Sequence, residues 1–121
     1  MRWYVHGNLT PAVVAAIVRH GHTAQTVSEV FGNVAPAEAD LLKQLQAKQL
    51  DLITADKSVV NRRVDTKEPF SRSIVFLQLA GADVEQDDAI DRLFARYKAP
   101  KPGLLYTVTE TRVKVRQLPG L

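Results

Sequence analysis

Leu50-Asp51-Leu52-Ile53-Thr54, followed at once by Ala55-Asp56, is the stretch on which the fold reading turns. It is a short apolar run that stops at a small residue and an acid. Runs of this kind mark strands buried on both faces, the normal state of strands in a parallel sheet. The pattern recurs downstream in Ser73–Leu79, where Ile74, Val75, Phe76 and Leu77 are consecutive, and upstream in Trp3–His6. Between these runs lie stripes at helical spacing: Val14, Ile17 and Val18, then Leu41, Leu42 and Leu45, then Ile90, Leu93, Phe94 and Tyr97. Strands alternating with helices predict an α/β domain, a mostly parallel central sheet covered by helices on both faces.

Local punctuation sets the expected boundaries. Thr10 reads as an N-cap with Pro11 at the first helical position, and Gly21 as the C-terminal stop. His22–Val27 reads as a second strand and Phe31–Val34 as a loop. A helix is expected from Pro36, a short one over Ser58–Val64, and a polar loop over Thr66–Ser71. Asp83 and Gln86 have capping-box spacing before the last helical stripe. Ala99-Pro100-Lys101-Pro102-Gly103 breaks the chain. Leu104–Val108 and Thr111–Gln117 then read as two strands with a turn near Glu110, a C-terminal antiparallel hairpin. In its second strand Val113 and Val115 alternate with Arg112, Lys114 and Arg116, which predicts one apolar and one basic face.

With 121 residues, 45% hydrophobic and 24% charged, the sequence fits one globular domain spanning 1–121. It has no cysteine, which removes disulfides, thiolate metal sites and cysteine nucleophiles. No stretch reads as a signal peptide or a membrane span, so the expected location is the cytoplasm, with no membrane partner. The net charge of +3 says little in bulk. Between Arg92 and Arg116, however, seven basic residues face a single acid, Glu110. That cluster suits a phosphate backbone, and equally a solvated surface.

In a parallel sheet, functional groups gather beyond the carboxyl ends of the strands. The rule selects His6 and Asn8 after the first strand, Asp56 after the Leu50–Thr54 strand, and Glu38 at the start of a helix. Glu38 precedes Leu41, Leu42 and Leu45 by three, four and seven residues, so its spacing puts it on the buried stripe, where a carboxylate needs a partner or a cation. It also reads as a first-turn acid favoured by the helix dipole. Asp56 is placed to bind metal, or to cap the next helix. Two convergent carboxylates suit magnesium or manganese, which activate water and stabilise charge in phosphodiester cleavage. His6 reads as a structural histidine, a metal ligand or a general base. Lys57, Arg62 and Arg63 follow Asp56 closely, as phosphate contacts or as a solvated helix face. Ser58 has no histidine near it in sequence, so no serine nucleophile is expected. The glycines form no phosphate-cradling loop.

Three stretches resemble a family of short bacterial PIN-like proteins, often grouped with toxin–antitoxin nucleases. The first is Tyr4-Val5-His6-Gly7-Asn8-Leu9, a helix, and Gly21-His22. The second runs from Ala37 to Asp56-Lys57. The third is the closing hairpin, Gly103–Glu110 with Arg112–Pro119. The resemblance implies a three-layer α/β/α PIN-like domain and a metal-dependent endoribonuclease of toxin type, using magnesium or manganese. It also implies an acidic site that is partly degraded here. The family's first-strand aspartate is His6, and the acid after it is Gly7. Asn8 matches. The helix acid is Glu38, and Asp56 is kept, but the next aspartate is Ser58.

The resulting expectation assigns catalysis to Glu38, Asp56, His6 and Asn8, and metal binding to Glu38 and Asp56. Lys57, Arg62, Arg63, Arg112, Lys114 and Arg116 are assigned to RNA. The alternative is a catalytically inactive PIN-like domain that binds RNA or an antitoxin-like protein. A homodimer is a further expected partner, through Ile74–Leu79 or the tail hairpin.

Overall fold

The computed structural model describes residues 1–7, 9–66 and 68–120. Among these, the chain order is β1 (Arg2–His6), α1 (Pro11–Arg19), β2 (Thr23–Gln25), α2 (Val27–Phe31), α3 (Glu38–Lys48), β3 (Asp51–Thr54), α4 (Lys57–Thr66), β4 (Ile74–Leu77), α5 (Asp83–Arg96), β5 (Leu104–Val108) and β6 (Val113–Gln117). The strands form one sheet in the order β2-β1-β3-β4-β5-β6. Every neighbouring pair is parallel except β5 with β6, which closes the sheet as an antiparallel hairpin. The architecture is three-layer α/β/α.

The apolar runs become the central strands because both of their faces are covered. All of β3 and β4 is buried. Side chains of a strand alternate between faces, so Ile53, Val75 and Tyr106 join one core with Val13, Ala16 and Ile17 of α1 and Ala89, Ile90, Leu93 and Phe94 of α5. Leu52, Ile74 and Leu105 join the other, with Leu41, Leu42 and Leu45 of α3 and Val59 and Val60 of α4. Among the described residues no helix is long and apolar enough to cross a membrane.

Several local expectations are corrected. The stretch read as strand followed by loop contains α2, opened by a capping box in which Thr26 and Glu29 bond reciprocally. The Thr-x-x-Glu spacing is the signal for it. Asp83 and Gln86 form no such box: Asp83 is already the first residue of α5. Gln86 is buried and its Oε1 instead accepts from the Thr10 amide at 2.9 Å and the Thr10 hydroxyl at 3.1 Å, tying the start of α1 to α5. Thr10 is the N-cap of α1 by position but makes no side-chain cap bond. In β6 the apolar face is incomplete. Val113 is buried, but Val115 is 39% exposed because the helices do not reach beyond the edge strand. β4 lies between β3 and β5, so its edges are both paired and Ile74–Leu77 cannot form a dimer edge.

Two polar groups are spent on holding this frame. Arg63 is only 1% exposed. Its Nε donates to the Phe70 carbonyl at 2.8 Å and Nη1 to the Pro119 carbonyl at 2.9 Å, so one side chain pins the α4–β4 loop and the C-terminal tail. His22 stacks on Phe94, with centroids 4.4 Å apart. Its Nδ1 accepts from Trp3 Nε1 at 3.4 Å and its Nε2 donates to the Lys98 carbonyl at 3.0 Å, a pairing only the neutral ring can make.

Arg63→Met should cost about 2–4 kcal/mol, because two carbonyls lose charged donors inside the protein. Urea unfolding should show a lower midpoint at unchanged slope; an unchanged midpoint would mean that the staple is redundant. A second expectation concerns pH. Burial holds the His22 ring below its ordinary value of 6.5, and His6 is displaced the same way, chiefly by burial. The unfolded chain therefore binds protons more readily. Stability from these rings should be present in full above 6.5 and lost as pH falls through their lowered folded values. Urea midpoints measured across that window should fall with pH, and His22→Gln should flatten the slope.

Candidate functional site

The order β2-β1-β3 means that the chain leaves β1 to one side, through α1, and then crosses back over it, through α3, to the other. Parallel crossovers are right-handed, so reversing direction puts the two connecting helices on opposite faces. The carboxyl ends of β1 and β3 then flank a gap that no connection covers, the topological switch point at which open α/β sheets bind ligands. β1 ends at His6 and β3 at Thr54, and the two residues are paired in register. α3 and α4 both begin at this rim, at Glu38 and Lys57.

Hydroxyl groups organise the rim. Thr54 Oγ1 lies 2.9 Å from His6 Nδ1 and accepts from the Asp56 amide at 2.9 Å. It thus joins the two strand ends, and among the described residues no hydrogen bond is made by His6 Nε2. Ser58 Oγ lies 2.6 Å from Glu38 Oε1 and 2.7 Å from Asp56 Oδ1. The two carboxylate oxygens are therefore no farther apart than the sum of those distances. Asp56 Oδ1 also accepts from the Ser58 amide at 2.9 Å, so the acid caps the start of α4 as well as facing Glu38. The metal and cap readings of Asp56 are thus compatible in one conformation.

The electrostatics follow from this geometry. The hydrogen bond from the Ser58 side chain, more than any other contact, holds the Asp56 carboxyl below its usual value. Burial lowers His6, while Asp56 and then Glu38 pull it back up. Gly7 closes the rim. Its φ is +85°, and a Cβ there would lie 3.3 Å from Thr54 Oγ1 and 3.5 Å from Asp56 Cβ. Beside it is a polar depression of about 310 Å³ lined by Gly7, Ala55, Asp56 and Lys57.

Glu38 is exposed, not buried. Its spacing does align it with Leu41, Leu42 and Leu45, but α3 begins beyond the sheet rim, where no strand is left to cover the first turn. Asp40 is also exposed. Asn8 lies outside the described residues. The basic candidates do not converge. Lys57 is at the rim. Arg62 is engaged by Glu68 at 2.7 Å. Arg63 is the buried staple described above and is not available to phosphate. Arg112 precedes β6, while Lys114 and Arg116 lie on it, opposite Thr107 and Leu105 and on the α3–α4 face. That strand is three places from β3, roughly 14 Å away across the sheet. Thr54 and Ser58 are the residues that sequence reasoning passed over as participants. Their signal is local: a hydroxyl two residues before an acid, and another two after it, at a strand-to-helix turn.

As a cation site the donor set is small. Among the described residues no group of three His, Cys, Asp or Glu side chains is placed to hold a metal ion. Glu38 and Asp56 nonetheless converge on one point. Magnesium commonly takes one or two carboxylates and fills the rest of its octahedron with water and substrate phosphate oxygens. Two carboxylates is the number such binding would use, and here both bond to the Ser58 hydroxyl that lies between them.

No protein-family model matches the chain, and neither does any curated protein or solved structure.

Ser58→Ala should raise the Asp56 pKa toward its ordinary value, since the largest influence lowering it is removed. A carboxyl-carbon NMR titration reads this directly. An Asp56 titration identical to that of the unmodified protein would mean that the hydroxyl does not sit between the acids in solution.

Proposed function

We propose that the chain is a PIN-like protein that acts on RNA as a metal-dependent endoribonuclease of toxin type, with a reduced acid set. The observation that carries this reading is the convergence of Glu38 and Asp56 on the Ser58 hydroxyl at the switch point between β1 and β3. Glu38 and Asp56 would hold one magnesium or manganese ion. When bound, such an ion polarises a phosphoryl oxygen and lowers the pKa of its water. Lys57, exposed at the polar depression, would meet a phosphate of the strand. His6, whose ring burial holds below its ordinary value, would serve as a proton acceptor near the acids. Ser58 bridges the two carboxylates that would hold the ion.

A second reading is favoured by a specific feature. The position nearest both acids carries a neutral serine, and a third ligand is missing among the described residues. On that reading the chain is a catalytically inactive PIN-like domain that binds RNA or an antitoxin-like protein.

Titration calorimetry with manganese, paired with cleavage of a labelled single-stranded RNA, separates the two. The enzyme reading expects manganese-dependent cleavage that falls at least about tenfold in Glu38→Gln and in Asp56→Asn. The binding reading expects salt-sensitive RNA retention that those substitutions leave unchanged. If neither manganese uptake nor cleavage is seen in the unmodified protein, the enzyme reading fails.

A further inference from the structure

β6 is the last strand of the sheet, and its outer edge has no neighbouring strand. Two hydrogen bonds that bracket β6 tell which main-chain groups face that edge. The Arg112 carbonyl accepts from the Thr109 amide at 2.9 Å, and the Leu118 amide donates to the Gly103 carbonyl at 2.9 Å. Along a strand, successive residues turn their N–H and C=O groups to opposite sides. Arg112, Lys114, Arg116 and Leu118 therefore bond toward β5, whereas Val113, Val115 and Gln117 turn theirs outward. Val115 and Gln117 are exposed. Among the described residues no main chain outside the sheet bonds to the outward groups.

The side chains of β6 separate by charge. Lys114 and Arg116 stand on the α3–α4 face, opposite Thr107 and Leu105, and Arg112 carries the same spacing into the turn. All three are exposed, and none forms an ion pair among the described residues. Val115 stands on the other face, opposite Tyr106, and is exposed.

We propose that the outer edge of β6 is a docking site for an extended, acidic segment of a partner protein, which adds antiparallel to the sheet as a further strand. Strand addition of this kind takes its affinity from main-chain hydrogen bonds and its specificity from alternate side chains. Here the outward groups of Val113, Val115 and Gln117 supply the ladder. Lys114 and Arg116 then fall at the non-hydrogen-bonded positions of an antiparallel pair, where side chains opposite each other lie closest. Carboxylates at every second residue of the incoming segment would meet them, and small apolar residues between the acids would cover Val115. Opposite charges across strands stabilise, and like charges directly opposite destabilise. The same geometry argues against a second copy. In an antiparallel β6–β6 pair outward-facing residues oppose outward-facing residues, so the cations of one strand fall opposite those of the other. A nucleic-acid strand would use the cations alone and leave the outward amides, carbonyls and Val115 without a partner. The site is separate from the acid pair, three strands from β3.

The test uses the full-length protein and fluorescein-labelled peptides matched to β6 in length, read by fluorescence anisotropy. The probe alternates glutamate with valine. It should bind, and added salt should weaken it. A copy N-methylated at each valine lacks the N–H groups that face β6 and should bind at least about tenfold less tightly. Val115→Pro removes an outward N–H that β5 does not use, a substitution edge strands tolerate, and should weaken the probe to a similar degree. In the Lys114→Glu, Arg116→Glu protein the preference should pass to a peptide that alternates lysine with valine. Equal binding of the plain and N-methylated probes by the unmodified protein overturns the added strand and leaves a surface for polyanions, RNA included. Failure to bind the probe overturns it too, as does a homodimer in sedimentation that Val115→Pro dissolves. Manganese uptake should be the same in Val115→Pro as in the unmodified protein, so this proposal and the metal reading stand or fall separately.

Discussion

The reversal of strand order at β1 is the constraint from which the rest of this protein follows. A right-handed crossover from β1 to β2 commits α1 to one face, and the return crossover to β3 commits α3 to the other. Two cores result, one on each face, and each draws on alternate side chains of the same strands. The reversal also leaves a gap above β1 and β3 that neither helix closes. His6, Gly7, Thr54, Asp56, Ser58 and Glu38 all reach that gap, although they come from four elements and the loops after two of them. The site is a by-product of topology before it is a matter of chemistry.

At the gap, neutral hydroxyls bridge the two acids and join the two strand ends. The exposed Glu38 and half-buried Asp56 carboxylates repel at this separation, and the Ser58 proton between them offsets part of that cost. Thr54 plays the matching part on the strand side, joining a histidine at one strand end to the turn that carries Asp56. Gly7 lines both the polar depression and a mostly aliphatic hollow between α1 and α2.

Polar residues elsewhere are used structurally, which explains why the basic cluster read from the sequence does not form one surface. Arg63 holds two carbonyls and Arg62 holds Glu68. Asp51, at the opposite end of β3 from the site, is buried and accepts from the Ser73 amide and from Arg72. The cations of β6 are exposed on an edge strand, where charge also discourages pairing with another sheet edge.

Sequence alone determined the alternation of strands and helices, the central place of Asp51–Thr54 and Ile74–Leu77, the closing hairpin, and the arrival of Glu38, Asp56 and His6 at element ends. These are local properties, carried by hydrophobic period and by breakers within a few residues. Tertiary structure decided the rest. Glu38 is twenty residues from Ser58, and His6 is forty-eight from Thr54. Whether such pairs meet depends on strand order and on how far a helix overhangs the rim, and neither leaves a periodic trace. The same limit explains Arg63, whose burial depends on a tail 56 residues away, and Val115, whose alternation is correct but whose covering helix is absent. Periodicity tells which way a side chain points relative to its neighbours; only packing decides what, if anything, stands opposite.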